Sequence, residues 1–302
     1  MGQEYFEFEK DPKRRVGWLT FNRPEKLNNM TFEDAAFLGP LLRKIERDDD
    51  VKVLIVKGAG DCFGSGGDVM MLGPETVGFS RDPKDPKPSL RTRIPGERRM
   101  MVEGGEQGLF IPFANFCKPC IAQVHGYCYG WHFMFCSYID IVVSSEEALF
   151  THPAFRYICE SWPAPRWMEE MGYKRVAEMM FTGRAFTAEE MEKCGFVNKV
   201  VPNDKLEETV LEIASIIAIK PLELLMGDKY YLEILRDMNI SSSASRIAGY
   251  AHLMSTYMKM EEGDFSILKE TTRRGPSDAI DERERRYPPK YRLSYKGRAA
   301  KE

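Results

Sequence analysis

Apolar positions along the chain follow two rhythms. Short runs rich in β-branched residues read as strands, and i, i+3, i+4 spacing reads as helices. Residues 5–9 and 16–21 read as a hairpin turning at 11–15. The polar stretch NRPEKLNNM at 22–30 follows, kept out of helix by Pro24. Thr31 caps a helix reaching about Arg47, with Asp34 three residues on as a near capping box. Its apolar face is Phe37, Leu38, Leu41, Leu42 and Ile45. Residues 48–50 read as a solvated turn. VKVLIV at 51–56 is a buried strand that breaks at Gly58, Gly60 and Gly64-Ser65-Gly66-Gly67. Asp68 then suits the N-cap or first turn of a short helix.

Residues 73–95 carry DPKDPKP and resist regular structure, and 98–116 read as an interrupted helix. CIAQV at 120–124 is a second buried strand. A turn at 125–130, an apolar helix at 131–138, a strand at 139–144 and a short one at 150–151 follow. Beyond the loop 152–165 the chain is mostly helical, over 166–181, 205–219, 222–238 and 245–259. A Thr187/Glu190 capping box and a strand at 196–201 lie between the first two. The tail 271–302, dense in Arg, Lys and Tyr, reads as surface or subunit-contact material. Strand–turn–helix occurs twice and strand alternates with helix, so the fold class is α/β. The expected division is a core over 1–202 and a C-terminal helical region over 203–302.

Composition narrows the function. The 302 residues are 43% hydrophobic and 29% charged, as in a soluble globular protein. A net charge of -3 gives no pull towards nucleic acid. No apolar segment is long enough to span a bilayer. The first residues show neither a secretory nor an Arg-rich transit pattern, so a cytoplasmic protein is expected. Seven scattered cysteines fit reduced thiols, and Cys117 and Cys120 have no second pair at zinc spacing. The glycine loop has neither a P-loop nor a dinucleotide-binding spacing. It reads either as a tight turn or as bare N–H groups that hold negative charge developing on an oxygen.

The order of motifs resembles the crotonase (enoyl-CoA hydratase/isomerase) superfamily over roughly residues 5–265. The motifs are NRPEKLN at 22–28, DCFGSGGD at 61–68, KPCIAQVHG at 118–126, DIVVSSEEA at 140–148 and TGRAFTAEEMEKCGFVNKVVP at 182–202. The resemblance implies a ClpP-like fold of repeated ββα units, two sheets and C-terminal helices, assembled as trimers or hexamers. It implies a coenzyme A thioester ligand, with no cofactor beyond the coenzyme A of the substrate and no metal. Two backbone N–H groups, mapping onto Gly67 and Trp131, would hold the thioester oxygen. The family commonly has three glycines where this chain has Gly130-Trp131-His132. Lys26, Leu27 and the loop Phe63, Gly64, Ser65 and Gly66 would lie along the coenzyme A, with Asp68 and Gly130 beside them.

The two glutamates that handle water and the α-proton in ordinary hydratases map onto Met134 and Ala154, neither of which accepts a proton. The ionisable replacements are His132, His152, Tyr157 and Glu160. Glu160 falls close to where several family branches place a later carboxylate. The apolar neighbours Ile158, Cys159 and Trp162 would raise its pKa towards that of a general base, unless it is a solvated loop residue. His152 would bind water, orient Glu160 or cap a neighbouring backbone group. His132 would line the acyl pocket, with Tyr157 and Arg156 as further lining candidates. Asp140 reads as a structural hydrogen-bonder and Lys118 as solvent-facing. The expected reaction is water addition to an enoyl-CoA. The alternatives are hydrolytic C–C cleavage of a β-keto acyl-CoA, a non-catalytic acyl-CoA-binding protein and an RNA-binding relative. Arg43, Lys44 and Arg47 are the basis of the RNA reading, and Glu46 with Asp48–Asp50 offset them. Trp131 and Trp162 suit a bulky or cyclic acyl group.

Overall fold

In the computed structural model, which describes residues 5–68, 111–156, 163–238, 265–289 and 292–293, the first apolar runs form a hairpin. β1 (Phe6–Asp11) pairs antiparallel with β2 (Val16–Phe21). α1 (Phe32–Glu46) follows the expected capping box. Thr31 Oγ1 accepts the Asp34 N–H at 3.1 Å, and Asp34 Oδ2 accepts the Thr31 N–H at 2.9 Å. β3 (Val53–Gly58) then enters the sheet parallel to β2.

After the short α2 (Ile111–Ala114), β4 (Cys120–Val124) pairs parallel with β3. β5 (Tyr127–Tyr129), α3 (Trp131–Cys136), β6 (Ile141–Ser145) and β7 (Leu149–Thr151) come next. α4 (Ala164–Thr182) leads to β8 (Phe186–Thr187), α5 (Ala188–Lys193) and β9 (Lys199–Val201). The described remainder is helical: α6 (Leu206–Ala218), α7 (Leu222–Met238), α8 (Ile267–Arg274) and α9 (Pro276–Arg285). The main sheet runs β1-β2-β3-β4-β6-β9, parallel from β2 onward, and a second sheet runs β5-β7-β8.

Both faces of the main sheet are covered, which is why its strands read as continuous apolar runs. Leu54 and Val56 face the larger core with Phe21, Ala122, Phe133 and Phe135. Their neighbours Val53 and Ile55 face the other way, against Leu206, Val210 and Ala214 of α6. The helix after residue 202 thus completes the packing of the sheet.

Three sequence expectations change. Residues 127–129 were expected as part of a turn and instead pair with β7 as a strand. Lys118 is buried, not solvent-facing: its Nζ donates to Ile45 O at 3.0 Å and Asp48 O at 2.8 Å, closing the C-terminal end of α1. Most of the described tail is exposed or half-buried, as expected, and Ala279, Arg283, Glu284 and Leu293 are its buried anchors. Arg156 is held by that tail rather than by a pocket. Its Nη1 pairs with Glu284 at 2.7 Å and its guanidinium lies 4.1 Å from the Tyr287 ring centre. Asp140 is a structural hydrogen-bonder, accepting from Cys120 N–H at 2.7 Å and Lys229 Nζ at 2.8 Å. The helix expected to follow Asp68, the segment 73–95 and the helix 245–259 lie outside the described residues. No helix among the described residues is long and apolar enough to cross a membrane.

Candidate active site

After β3 the glycine loop is held between two segments of backbone. On one side Ser65 N–H donates to Leu27 O at 2.9 Å, Met30 N–H to Gly66 O at 2.9 Å and Asp68 N–H to Met30 O at 2.8 Å. On the other, Phe63 N–H donates to His125 O at 2.8 Å, Gly64 N–H to Tyr127 O at 2.8 Å, and Tyr129 N–H to Gly64 O at 2.9 Å. The loop is therefore a fixed edge, stitched to the NRPEKLN segment and to β5.

This stitching brings Gly66 and Gly67 against Gly130 and Trp131. Gly66 has φ +103 and Gly130 has φ +56, regions that disfavour any side chain. A methyl built on Gly66 would lie 3.1 Å from Gly130 Cα and 3.4 Å from Trp131 N. One built on Gly130 would lie 3.9 Å from Gly67 N. The two segments that carry the Gly67 and Trp131 amides thus meet at Gly66 and Gly130 with no room for a side chain between them. Gly130 N–H donates to Thr151 O at 3.0 Å, which fixes the turn that opens α3. Gly67 N–H meets no acceptor among the described residues. The half-buried Trp131 indole lies against Gly67, its Cε2 3.0 Å from where a Cβ would stand. Two backbone amides carried on adjoining segments are the elements from which an oxyanion-holding pair is built.

The other expected site residues divide. Leu27 is half-buried in the left-handed conformation (φ +52), and Lys26 is exposed one residue before it. Ser65 and Asp68 are half-buried on the loop. Phe63 does not line a binding surface: its ring is fully buried, 5.4 Å from Phe21 in an edge-on contact. His132 does not line an open acyl pocket either. Its ring is fully buried, Nδ1 accepts the Gly66 N–H at 3.0 Å, and Nε2 lies 3.1 Å from Tyr5 Oη. Burial pushes its imidazole down to about 3, so it stays neutral. His152 is buried beside Thr151, edge-on to Phe155 at 4.9 Å and 6.0 Å from the Trp167 ring. Met134 is buried in the core, and Ala154 sits in the turn Pro153–Arg156. Glu160 and Tyr157 lie outside the described residues.

Two residues with no expected role belong to this site. Asn28, fully buried at φ +54, donates through Nδ2 to Ala59 O at 2.9 Å and Cys62 O at 2.8 Å. It thereby braces the base of the glycine loop. Tyr5 Oη donates to Asn28 O at 2.7 Å. The signal was an Asn closing a polar motif, since Asn is enriched at positive φ.

The enoyl-CoA hydratase/isomerase family profile matches residues 97–231. A mevalonyl-coenzyme A hydratase of Aspergillus fumigatus is 31% identical over 249 residues, 81% of this chain and 85% of that protein. The chain belongs to the enoyl-CoA hydratase/isomerase, or crotonase, family. A 1,2-epoxyphenylacetyl-CoA isomerase of Escherichia coli is 31% identical over 215 residues, 69% of this chain and 75% of that protein. Among solved structures, a probable enoyl-CoA hydratase from Mycobacterium thermoresistibile superposes with a TM-score of 0.70 at 26% identity. It covers 83% of this chain and 96% of its own. An enoyl-CoA hydratase/isomerase from Xanthobacter autotrophicus Py2 superposes with a TM-score of 0.76 at 24% identity, covering 94% and 98%. The crotonase fold expected from the sequence is the fold observed.

Proposed function

We propose that this protein adds water to an enoyl-CoA through a thioester enolate whose oxygen is held by the Gly67 and Trp131 amides. The observation that carries the reading is their juxtaposition across the Gly66–Gly130 contact. As water attacks the β-carbon, charge passes to the thioester oxygen. Donors already aimed at that oxygen lower the barrier without reorganising. Protonation of the α-carbon then completes the addition. A relative that is a mevalonyl-CoA hydratase supports hydration as the reaction.

With Met134 and Ala154 in the usual glutamate positions, proton transfer falls to Glu160, with His152 as its orienting partner. The Trp131 indole over Gly67 suits a bulky or cyclic acyl group. Hydrolytic C–C cleavage of a β-keto acyl-CoA needs the same donors and one activated water, and is the second reading. Exposed Ile216, Ile219, Tyr230 and Leu232 on and beside α6 and α7 offer apolar surface for contact with further copies of the chain, and a trimer or a dimer of trimers is the assembly proposed. Light scattering that returns a monomer would overturn the assembly.

The test is mass spectrometry of straight, branched and cyclic enoyl-CoAs and cyclic β-keto acyl-CoAs with wild-type protein and Glu160→Gln. The expected result is a product heavier by one water. Its rate should fall by roughly 10²-fold or more in Glu160→Gln. Equal turnover in the variant discards Glu160 as the base. Turnover confined to short straight chains discards the bulky acyl group. Binding without turnover across the panel makes the protein a non-catalytic acyl-CoA binder.

A further inference from the structure

The position after Trp131 holds a histidine whose ring reaches back under the glycine loop instead of forward into the site. A backbone N–H can only donate, so Nδ1 of His132, 3.0 Å from Gly66 N, carries no proton. The proton of the neutral imidazole is therefore on Nε2. That nitrogen lies 3.1 Å from Tyr5 Oη, whose own hydrogen goes to Asn28 O at 2.7 Å. Donor and acceptor roles run in one consistent direction, from Gly66 N–H through His132 and Tyr5 to the carbonyl of Asn28. Asn28 in turn braces Ala59 and Cys62, so the chain of bonds closes on the loop where it began.

The ring is gripped as well as bonded. Phe21 meets it edge-on at 4.8 Å, and Phe63 and Phe135 at 6.0 Å each. Gly64 completes the fit: a Cβ there would fall 2.2 Å from His132 Cδ2, so this ring requires glycine at 64. The Gly66 N–H is the amide immediately before the proposed donor Gly67. Its direction fixes the plane of the Ser65–Gly66 peptide, and the Met30 N–H on Gly66 O at 2.9 Å holds the next peptide, the one that carries the Gly67 N–H.

We infer that His132 is a positioning residue for catalysis: its Nδ1, oriented by Tyr5, anchors the Gly66 N–H and so holds the turn from which the Gly67 amide points at the thioester oxygen. This rests on reading Gly67 and Trp131 as the oxyanion donors. His132 itself touches no substrate and transfers no proton.

The test compares wild type, His132→Asn, His132→Leu and Tyr5→Phe on the acyl-CoA that wild type turns over best. Asn offers Oδ1 close to where Nδ1 stands and keeps an acceptor for Gly66 N–H, whereas Leu fills space and offers none. The expected result for His132→Leu is kcat lower by roughly 10- to 100-fold with KM within threefold, because a misaimed donor is felt in the transition state. His132→Asn should recover kcat to within about threefold of wild type. Tyr5→Phe, which keeps the ring and the core packing, should fall between them. Wild-type kcat in His132→Leu overturns the proposal. So does equal loss in the Asn and Leu variants, which would make the role one of packing. If His132→Leu does not fold, Tyr5→Phe decides: unchanged kcat overturns the proposal. A wild-type protein that turns over no acyl-CoA removes the reading beneath it, an outcome distinct from a silent His132→Leu in an active enzyme.

Discussion

Gly66→Ala is expected to lower kcat by roughly 10²- to 10³-fold while leaving the fold in place, the scale seen when one oxyanion donor is lost. The backbone at Gly66 stands at φ +103, so an Ala there is strained by about 1–2 kcal/mol. The strain matters less than where the methyl goes. It would lie 3.1 Å from Gly130 Cα and 3.2 Å from Tyr129 O. Both are backbone atoms that no side-chain rotation can move aside. Relief must come from parting the two segments that carry the Gly67 and Trp131 amides. Gly275→Ala is the matched control, with φ +82 and nothing within 4 Å of the new methyl. It carries the strain without the displacement. Steady-state kinetics and thermal melting of both variants check this. Gly275→Ala should melt earlier and keep its kcat, and Gly66→Ala should lose kcat. Wild-type kcat in Gly66→Ala would remove the amide pair from the mechanism.

Acid should destabilise the native state through His132. Burial among Tyr5, Phe21, Phe63 and Phe135 holds the imidazole neutral down to about 3, and no carboxylate bonds it among the described residues. In the unfolded chain the same imidazole takes a proton near its usual 6.5. Between these values the unfolded state binds more protons, so stability falls as pH falls. The contribution is fully present above about 6.5, and it is lost at up to about 1.4 kcal/mol per pH unit on the way down. Over the whole window the loss is on the order of 5 kcal/mol, a large part of a domain's stability. His132→Asn removes this group, so the gap between variant and wild type should change with that slope below pH 6.5. Urea unfolding at several pH values measures it. Glu170, whose carboxyl burial pushes up to about 7, titrates in both proteins and cancels from the difference. Parallel stability curves would mean that the His132 ring is reached by solvent.

What the sequence disclosed was local. The capping boxes of α1 and α5 lie within four residues each, and both formed where Thr31 and Thr187 placed them. The β1–β2 hairpin and the buried runs of β3 and β4 follow from apolar patterning within a few residues. The motifs that carry the family resemblance are likewise local, and they led to Gly67 and Trp131 as the candidate donors. What stayed hidden depends on distant partners. β5 is a strand only because Leu149–Thr151 pairs with it. Lys118 is buried because two carbonyls about seventy positions earlier need a donor at the end of α1. A division at residue 202 follows the change from strand to helix, yet α6 packs on the main sheet and leaves no gap in the core there. His132 neighbours Trp131 and so reads as a pocket residue. A helical step turns successive side chains by about 100°, and that turn sends this ring to Gly66 and Tyr5 instead.

The measurement that reaches the amide pair most directly is isotope-edited infrared spectroscopy of an acyl-CoA carrying ¹³C at the thioester carbonyl, free and bound to wild-type protein. Two donors aimed at that oxygen draw charge onto it and weaken the C=O bond, whichever residue serves as base. The expected result is a carbonyl band shifted to lower frequency on binding, with the shift diminished in Gly66→Ala. A bound thioester that absorbs where the free one does would contradict the assignment of Gly67 and Trp131.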